Sequence, residues 1–375
     1  MTSGTGKPKI LLLYCGGTIA MVHEQANNGP LLPPKSPDAF IEQIRPIVGS
    51  FAEMDHIVVI ANKDSSNITS DDWKRISSAI AENYDKYDGF VITHGTDTMG
   101  YSAAAISYML QNLNKPVVFT GSQIPLNQEG TDAKRNLEDA FRVASSNLAE
   151  VVICFNRNIW RGNRAIKKDA QALDAFDTPG FPPLGHVEDS KVVIESHAIT
   201  ARPDRSPMTL KTAMDTNVDF VESTPFIEPE DLIIRSQIGA EVSAILLKWE
   251  GVGGDFSKGK DNPLLGAIRY ATAHGVPVVV THSWAARFGE NYREKITALV
   301  DSGAIPALDM RAYPALAKLE WCMGQAQSLK GKDRIEEVRK MFATNFRGEV
   351  DPNFDPSLLL RKTRDAKSGP PKLKV

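Results

Sequence analysis

Three cysteines in 375 residues, Cys15, Cys154 and Cys322, are too few and too scattered to form a disulfide framework. No Cys-x-x-Cys pair and no His-Glu-x-x-His occurs, so neither a zinc site nor any other metal site is expected. Long apolar runs are missing too. Stretches such as Ile10–Leu13 and Val276–Val280 fall far short of the roughly 18 residues that cross a bilayer. The chain also lacks an excess of positive charge. Its 43 Lys and Arg face 46 Asp and Glu, a net of −3, which argues against a nucleic-acid partner. The segment from Met1 to Lys9 is polar, without the apolar core of a signal peptide. A Gly-x-Gly-x-x-Gly fingerprint is absent after the first strand, which disfavours a dinucleotide enzyme. Gly4-Thr5-Gly6-Lys7 mimics a phosphate loop, but it lacks that motif's first glycine, continues with Pro8 and precedes the strand. A cytoplasmic protein without cofactor, membrane or nucleic-acid partner is expected.

What is present alternates in period. Lys9–Tyr14, Ile57–Ile60, Phe90–Thr93, Val117–Thr120 and Val151–Phe155 read as short buried strands. Between them, Trp73, Ile76, Ile80 and Tyr84 share one helical face behind a Thr69 or Ser70 cap, and Tyr101–Leu113 and Thr131–Ser146 are also helical. Strand and helix in regular succession predict parallel strands with right-handed crossovers, hence a doubly wound α/β sheet. The pattern weakens around prolines 203, 207, 225 and 229 and then restarts. Val242–Trp249 and Val276–Thr281 read as strands, and Pro263–His274, Tyr292–Ser302, Tyr313–Gln327 and Arg334–Thr344 as helices. The expectation is a larger N-terminal, mostly parallel sheet domain over 1–205 and a connection over 206–230. A smaller C-terminal α/β domain over 231–360 and a basic tail over 361–375 follow.

Polar clusters sit where these strands end, which is where open parallel sheets bind ligands. Gly16-Gly17-Thr18 lets the backbone turn sharply and presents a hydroxyl, although an ordinary strand-end turn reads the same way. Thr93-His94-Gly95-Thr96-Asp97-Thr98 carries more hydroxyl and carboxylate groups than helix capping requires. His94 there is read as a structural hydrogen-bonder before a general base. Asp64-Ser65-Ser66-Asn67 suits a ligand carboxylate or a plain turn. Arg161-Gly162-Asn163-Arg164 leads to Lys167 and Lys168, where a desolvated lysine could act as a base and a solvated loop is the simpler alternative.

Taken together these segments resemble the L-asparaginase family, in its cytoplasmic type I branch. The matching stretches are Gly16-Gly17-Thr18-Ile19, Asp64-Ser65-Ser66, His94-Gly95-Thr96-Asp97-Thr98-Met99 and Thr120-Gly121-Ser122-Gln123-Ile124-Pro125. Further matches are Asp132-Ala133 with Asn136-Leu137, Arg161 to Lys167, Asp174-Ala175-Phe176, Asp309-Met310, Lys318-Leu319 and Asn345 to Glu349. The resemblance implies an amidohydrolase that converts L-asparagine to L-aspartate and ammonia through an acyl-enzyme. It assigns the nucleophile to Thr18, the second threonine and its aspartate to Thr96 and Asp97, and the lysine to Lys167 rather than Lys168. It places the substrate's charged groups around Asp64, Ser65, Ser66 and Asp97, with backbone N–H groups near Thr96 as oxyanion donors. It implies a homodimer or homotetramer in which one subunit's second domain helps close a neighbour's site. No cofactor or metal is implied.

The chain also departs from the family pattern. Ile19 to Ile60 contains no tyrosine, so the hydroxyl that the family often supplies from a mobile loop is missing unless Tyr14 or a neighbouring subunit provides one. Gly251-Val252-Gly253-Gly254, Thr281 to Phe288 and Arg311-Ala312-Tyr313-Pro314 replace other family segments in the second domain. Trp284, Phe288 and Tyr313 could favour an amide bearing a larger group. The alternatives kept are therefore the same machinery acting on glutamine or a modified asparagine, and a non-catalytic amino-acid-binding member.

Overall fold

The computed structural model describes residues 6–23, 29–224, 227–237, 242–249, 262–282 and 298–351. Two compact units divide the chain, Met1–Thr212 and Ala213–Val375. In the first, β1 (Ile10–Gly16) is buried at all seven positions, as a strand covered on both faces of a sheet must be. It pairs in parallel with β2 (Ile57–Lys63) on one side and β3 (Gly89–Thr93) on the other. Beyond β3 lie β4 (Val117–Thr120) and β5 (Val151–Phe155), also parallel. The eight-stranded sheet then turns antiparallel through β6 (Asn158–Arg161), β7 (Gly185–Glu188) and β8 (Lys191–Ile194).

That antiparallel edge does not follow from the alternating pattern, and its turns explain why. Asn156 and Arg157 (φ 47° and 69°) link β5 to β6, and Asp189 and Ser190 (φ 46° and 63°) link β7 to β8. Two consecutive left-handed residues make the tight hairpin turn that Asn-Gly usually marks, and here no glycine announces it.

The helices α1 (Asp38–Val48), α2 (Ser70–Glu82), α3 (Met99–Met109) and α4 (Ala133–Ala144) cover this sheet. Phe40, Ile44 and Val48 of α1 share one core with Leu137 and Phe141 of α4 and with Ile10, Leu12 and Tyr14 of β1. The two helices thus lie on one face, although β1 to β2 and β4 to β5 step in opposite directions across the sheet. These two crossovers therefore have opposite hands, which corrects the uniformly right-handed expectation. Helix α2 begins at a capping box in which Thr69 and Asp72 satisfy each other's backbone N–H groups. Helix α3 stops short of Leu113, because Leu110–Gln111 leaves it to pair with Thr209–Leu210.

Among the described residues, the second unit holds a four-stranded parallel sheet in the order β9 (Val218–Glu222), β10 (Ala244–Trp249), β11 (Val278–His282) and β12 (Ile305–Pro306). Its helices among the described residues include α5 (Pro229–Gln237), α6 (Pro263–Ala273), α7 (Ala312–Gln325) and α8 (Gly331–Ala343). The Asn262 side chain caps α6, and Pro263 occupies its first position, where no intrahelical N–H is needed. The stretch 206–230 contains the boundary between the units, with paired strand residues on either side of it. Of the expected helix Tyr292–Ser302, residues 298–301 are helical and 292–297 lie outside the described residues. So do Gly251–Gly254, Ser283–Phe288 and the tail 361–375. Among the described residues, no helix is long and apolar enough to cross a membrane, and no three His, Cys, Asp or Glu are grouped to hold a metal.

Candidate functional site

The carboxyl ends of β1, β2 and β3 converge because glycine allows their backbones to touch. Gly16 and Gly17 turn the chain with φ of +87° and +88°. A Cβ on Gly16 would meet the Lys63 backbone at 2.7 Å, and one on Gly17 would meet the Gly95 nitrogen at 2.4 Å. A Cβ on Gly95 would in turn meet the Ser65 side chain at 2.7 Å. Nothing larger fits at these contacts. They bring the segments around Thr18, Asp64–Ser66 and Thr96–Asp97 to one crevice. Thr18 is half-buried there and opens the short 3-10 turn Thr18–Ala20.

Lys167 reaches the same place from a hairpin formed by Ile166–Lys167 and Phe176–Asp177. The chain before it is drawn in tightly, since a side chain on Gly100 at the start of α3 would strike the Ala165 carbonyl at 2.6 Å. The Lys167 amine donates to Thr96 Oγ1 at 2.8 Å and to Asp97 Oδ1 at 2.6 Å. Its side chain is 14% exposed, whereas that of Asp97 is 66% exposed, so one face of the carboxylate meets solvent. Thr96, itself buried, donates its proton to Gln123 Oε1 at 3.2 Å. Lys168 points elsewhere, into an exposed pair with Asp174 at 2.6 Å, and Asp174 holds its amine above the usual range.

The third segment is internally tied. Asp64 Oδ1 accepts from both the backbone N–H and the hydroxyl of Ser66. Ser65 is buried against Gly95, and its carbonyl accepts from Thr98 Oγ1 at 2.8 Å. Ser66 is exposed. Beneath them Lys63 pairs with Asp72 at 2.8 Å. Burial pushes the Asp72 carboxyl up, but the Lys63 and Thr69 hydrogen bonds outweigh it and hold the group below the usual carboxylate range.

Two other side chains fall away from the chemistry. His94 is fully buried, pairs through Nδ1 with the Gly95 carbonyl at 2.8 Å and lies edge-on to Phe119. Burial pushes its imidazole down to about 4, so it is neutral near pH 7. The buried Tyr14 hydroxyl donates to Asn62 Oδ1 at 2.8 Å, and burial pushes the phenol up to about 12. The Asn62 amide then donates to the Pro34 carbonyl at 2.6 Å. Tyr14 is thus engaged with the loop base.

The structure therefore brings Thr96, Asp97 and Lys167 into direct contact and sets Thr18 and Asp64–Ser66 beside them. The spacing of residues did not single out Gln123 or Asp132. Gln123 stands in a matched motif, yet nothing in one sequence says that its carboxamide meets Thr96. Asp132 is buried and holds the N–H groups of Gln123 and Ile124 at 3.0–3.1 Å.

A two-unit α/β fold with a hydroxyl, amine and carboxylate cluster at its strand ends is the frame of a hydrolytic enzyme. Residues 9–200 match the family described as "Asparaginase, N-terminal". L-asparaginase 1 of Escherichia coli K12 is 32% identical over 363 residues, covering 92% of this chain and 99% of that protein. The crystal structure of L-asparaginase I from Vibrio cholerae matches with a TM-score of 0.77 and 32% identity, over 92% of this chain and all of that one. The 60 kDa lysophospholipase of Mus musculus is 31% identical over 91% of this chain and 57% of its own length. The chain belongs to the asparaginase family, and it is a hydrolase acting on amide C–N bonds.

Proposed function

We propose that this protein hydrolyses L-asparagine to L-aspartate and ammonia with Thr18 as nucleophile. The observation that carries the reading is the Lys167–Thr96–Asp97 cluster beside the Gly16–Gly17–Thr18 turn. In its neutral form the Lys167 amine takes the Thr96 proton while Thr96 takes that of Thr18, and Thr18 Oγ1 attacks the side-chain carbonyl carbon. Asp97 stabilises the ammonium so formed, at the 2.6 Å separation of the resting site. The tetrahedral centre collapses, the C–N bond breaks, and nitrogen leaves as ammonia with a proton returned through the relay. Water then adds to the ester, releasing aspartate and restoring Thr18. Backbone N–H groups near Thr96 receive the oxyanion. The exposed face of Asp97 suits the substrate's α-ammonium group, and the Asp64–Ser66 turn lies beside it, where the family resemblance puts the substrate's charged groups.

The proposal includes a cytoplasmic location, supported by three free and buried cysteines, and a homodimer or homotetramer, which the family resemblance implies. Ammonia release across asparagine, glutamine and N-substituted asparagines tests the substrate. Thr18→Val tests the nucleophile: it should abolish turnover while leaving the fold intact. Retention of more than about a tenth of wild-type kcat, a barrier change of only ~1.4 kcal/mol, would remove Thr18 from that role. Asparagine turned over less efficiently than a larger amide would shift the assignment to the modified-amide alternative.

A further inference from the structure

We propose that Gln123 is a positioning residue that locks the Lys167 hairpin beside the Thr96 hydroxyl. This deepens the reading of Lys167 and Thr96 as a relay and rests on it.

The carboxamide of Gln123 bridges two parts of the site. Its Nε2 donates to the carbonyls of Ala170 and Ala172, both at 3.1 Å, in the turn between the two strands of the Lys167 hairpin. Carbonyls only accept, so the amide nitrogen must occupy that side and Oε1 must face Thr96. An amide oxygen only accepts as well. In the resting site the Thr96 proton points to Gln123 at 3.2 Å and its oxygen receives Lys167 at 2.8 Å, so the hydroxyl turns toward the neutral amine before it passes that proton on. One side chain thereby ties the hairpin that carries Lys167 to the hydroxyl that the amine must reach.

The clamp is held from behind. The backbone N–H of Gln123 meets both carboxylate oxygens of Asp132 at 3.1 Å, and Asp132 is tied again to Asn136 Nδ2 at 3.0 Å in α4. The turn it grips is otherwise exposed from Lys168 to Asp174, organised by Asp169 Oδ1 accepting from the N–H groups of Gln171 and Ala172. A lysine at the foot of an exposed turn holds its position in the site more firmly with such an outside tether.

The test is Gln123→Met, which keeps length and volume and removes every amide contact. Hydrogen exchange by mass spectrometry should quicken at least tenfold in a peptide spanning 166–177 and stay unchanged in one spanning 89–93. Turnover of asparagine should fall about tenfold or more in kcat with KM within threefold of wild type. Should the methionine variant fail to fold, Gln123→Glu turns a carboxylate toward the two carbonyls and should give the same exchange and kcat changes. Unchanged exchange in 166–177 overturns the clamp, and a kcat within twofold of wild type, or a rise in KM alone, overturns its action on the relay. If the wild-type protein releases ammonia from no amide, the hydrolytic assignment fails by itself, while the exchange measurement still decides the clamp.

Discussion

Replacing Lys167 by methionine removes one amine and two contacts, and the structure allows the two consequences to be separated. The amine donates to Thr96 at 2.8 Å and to Asp97 at 2.6 Å, and hydrogen bonds involving a charged group contribute about 1.5–3 kcal/mol each. Losing both where they act on the transition state should cost about 3–6 kcal/mol, a fall of roughly 10²–10⁴ in kcat. Stability should respond far less. The Asp97 side chain is 66% exposed, so solvent screens the pair and its net contribution is about 1 kcal/mol or less. For a unit of this size that is a drop of about 2–4 °C in Tm. Lys168→Met is the matched control. Its amine is on the surface, paired with an Asp174 that is half exposed, so kcat and Tm should stay near wild type. Ammonia release at saturating asparagine, with Tm measured on the same preparations, decides the matter. Equal losses in both variants, or loss at Lys168 alone, would refute the assignment. A Lys167→Met protein that lost activity only in step with a large fall in Tm would refute the separation.

Other expectations follow from the same contacts. Gly17→Ala sets a Cβ 2.4 Å from the Gly95 nitrogen at a φ of +88°, so Tm should fall by several degrees and kcat by at least about tenfold; an unchanged melting curve would deny the close approach. In the second unit, Lys318 and Glu349 form an ion pair at 2.7 Å with both side chains fully buried. Glu349→Gln leaves the ammonium facing the Phe342 and Thr344 carbonyls and should cost about 3–5 kcal/mol, or roughly 6–20 °C in Tm for a unit of this size. Burial pushes the Glu349 carboxyl up, but Lys318 and the Phe346 and Arg347 N–H groups outweigh it and hold the group below its usual value. Its stabilisation is therefore present above about pH 4.3 and lost as pH falls through the lower folded-state value, a dependence the glutamine variant should lack in acid unfolding.

The sequence by itself determined the elements whose signal is local. The apolar runs of β1, β3, β4 and β5 and the single-faced pattern of α2 could be read without coordinates, because burial on both sides of a sheet or on one side of a helix selects residue type position by position. The placement of Gly16-Gly17-Thr18 and His94 to Thr98 at strand ends was legible for the same reason. Tertiary structure decided what depends on distant residues meeting. Lys167 and Asp97 are 70 positions apart, and their 2.6 Å contact occurs where Gly100 admits the Ala165 carbonyl and the Gln123 amide bonds the Ala170 and Ala172 carbonyls. The antiparallel edge depends on left-handed conformations at Asn156 and Arg157, which non-glycine residues adopt only when the flanking strands over-determine them. The opposite hands of the α1 and α4 crossovers depend on which face each helix could bury against, and α1 and α4 settled that by packing on each other over Ile10, Leu12 and Tyr14. An amphipathic helix states that it must bury a face, and only the assembled sheet determines which face of the fold receives it.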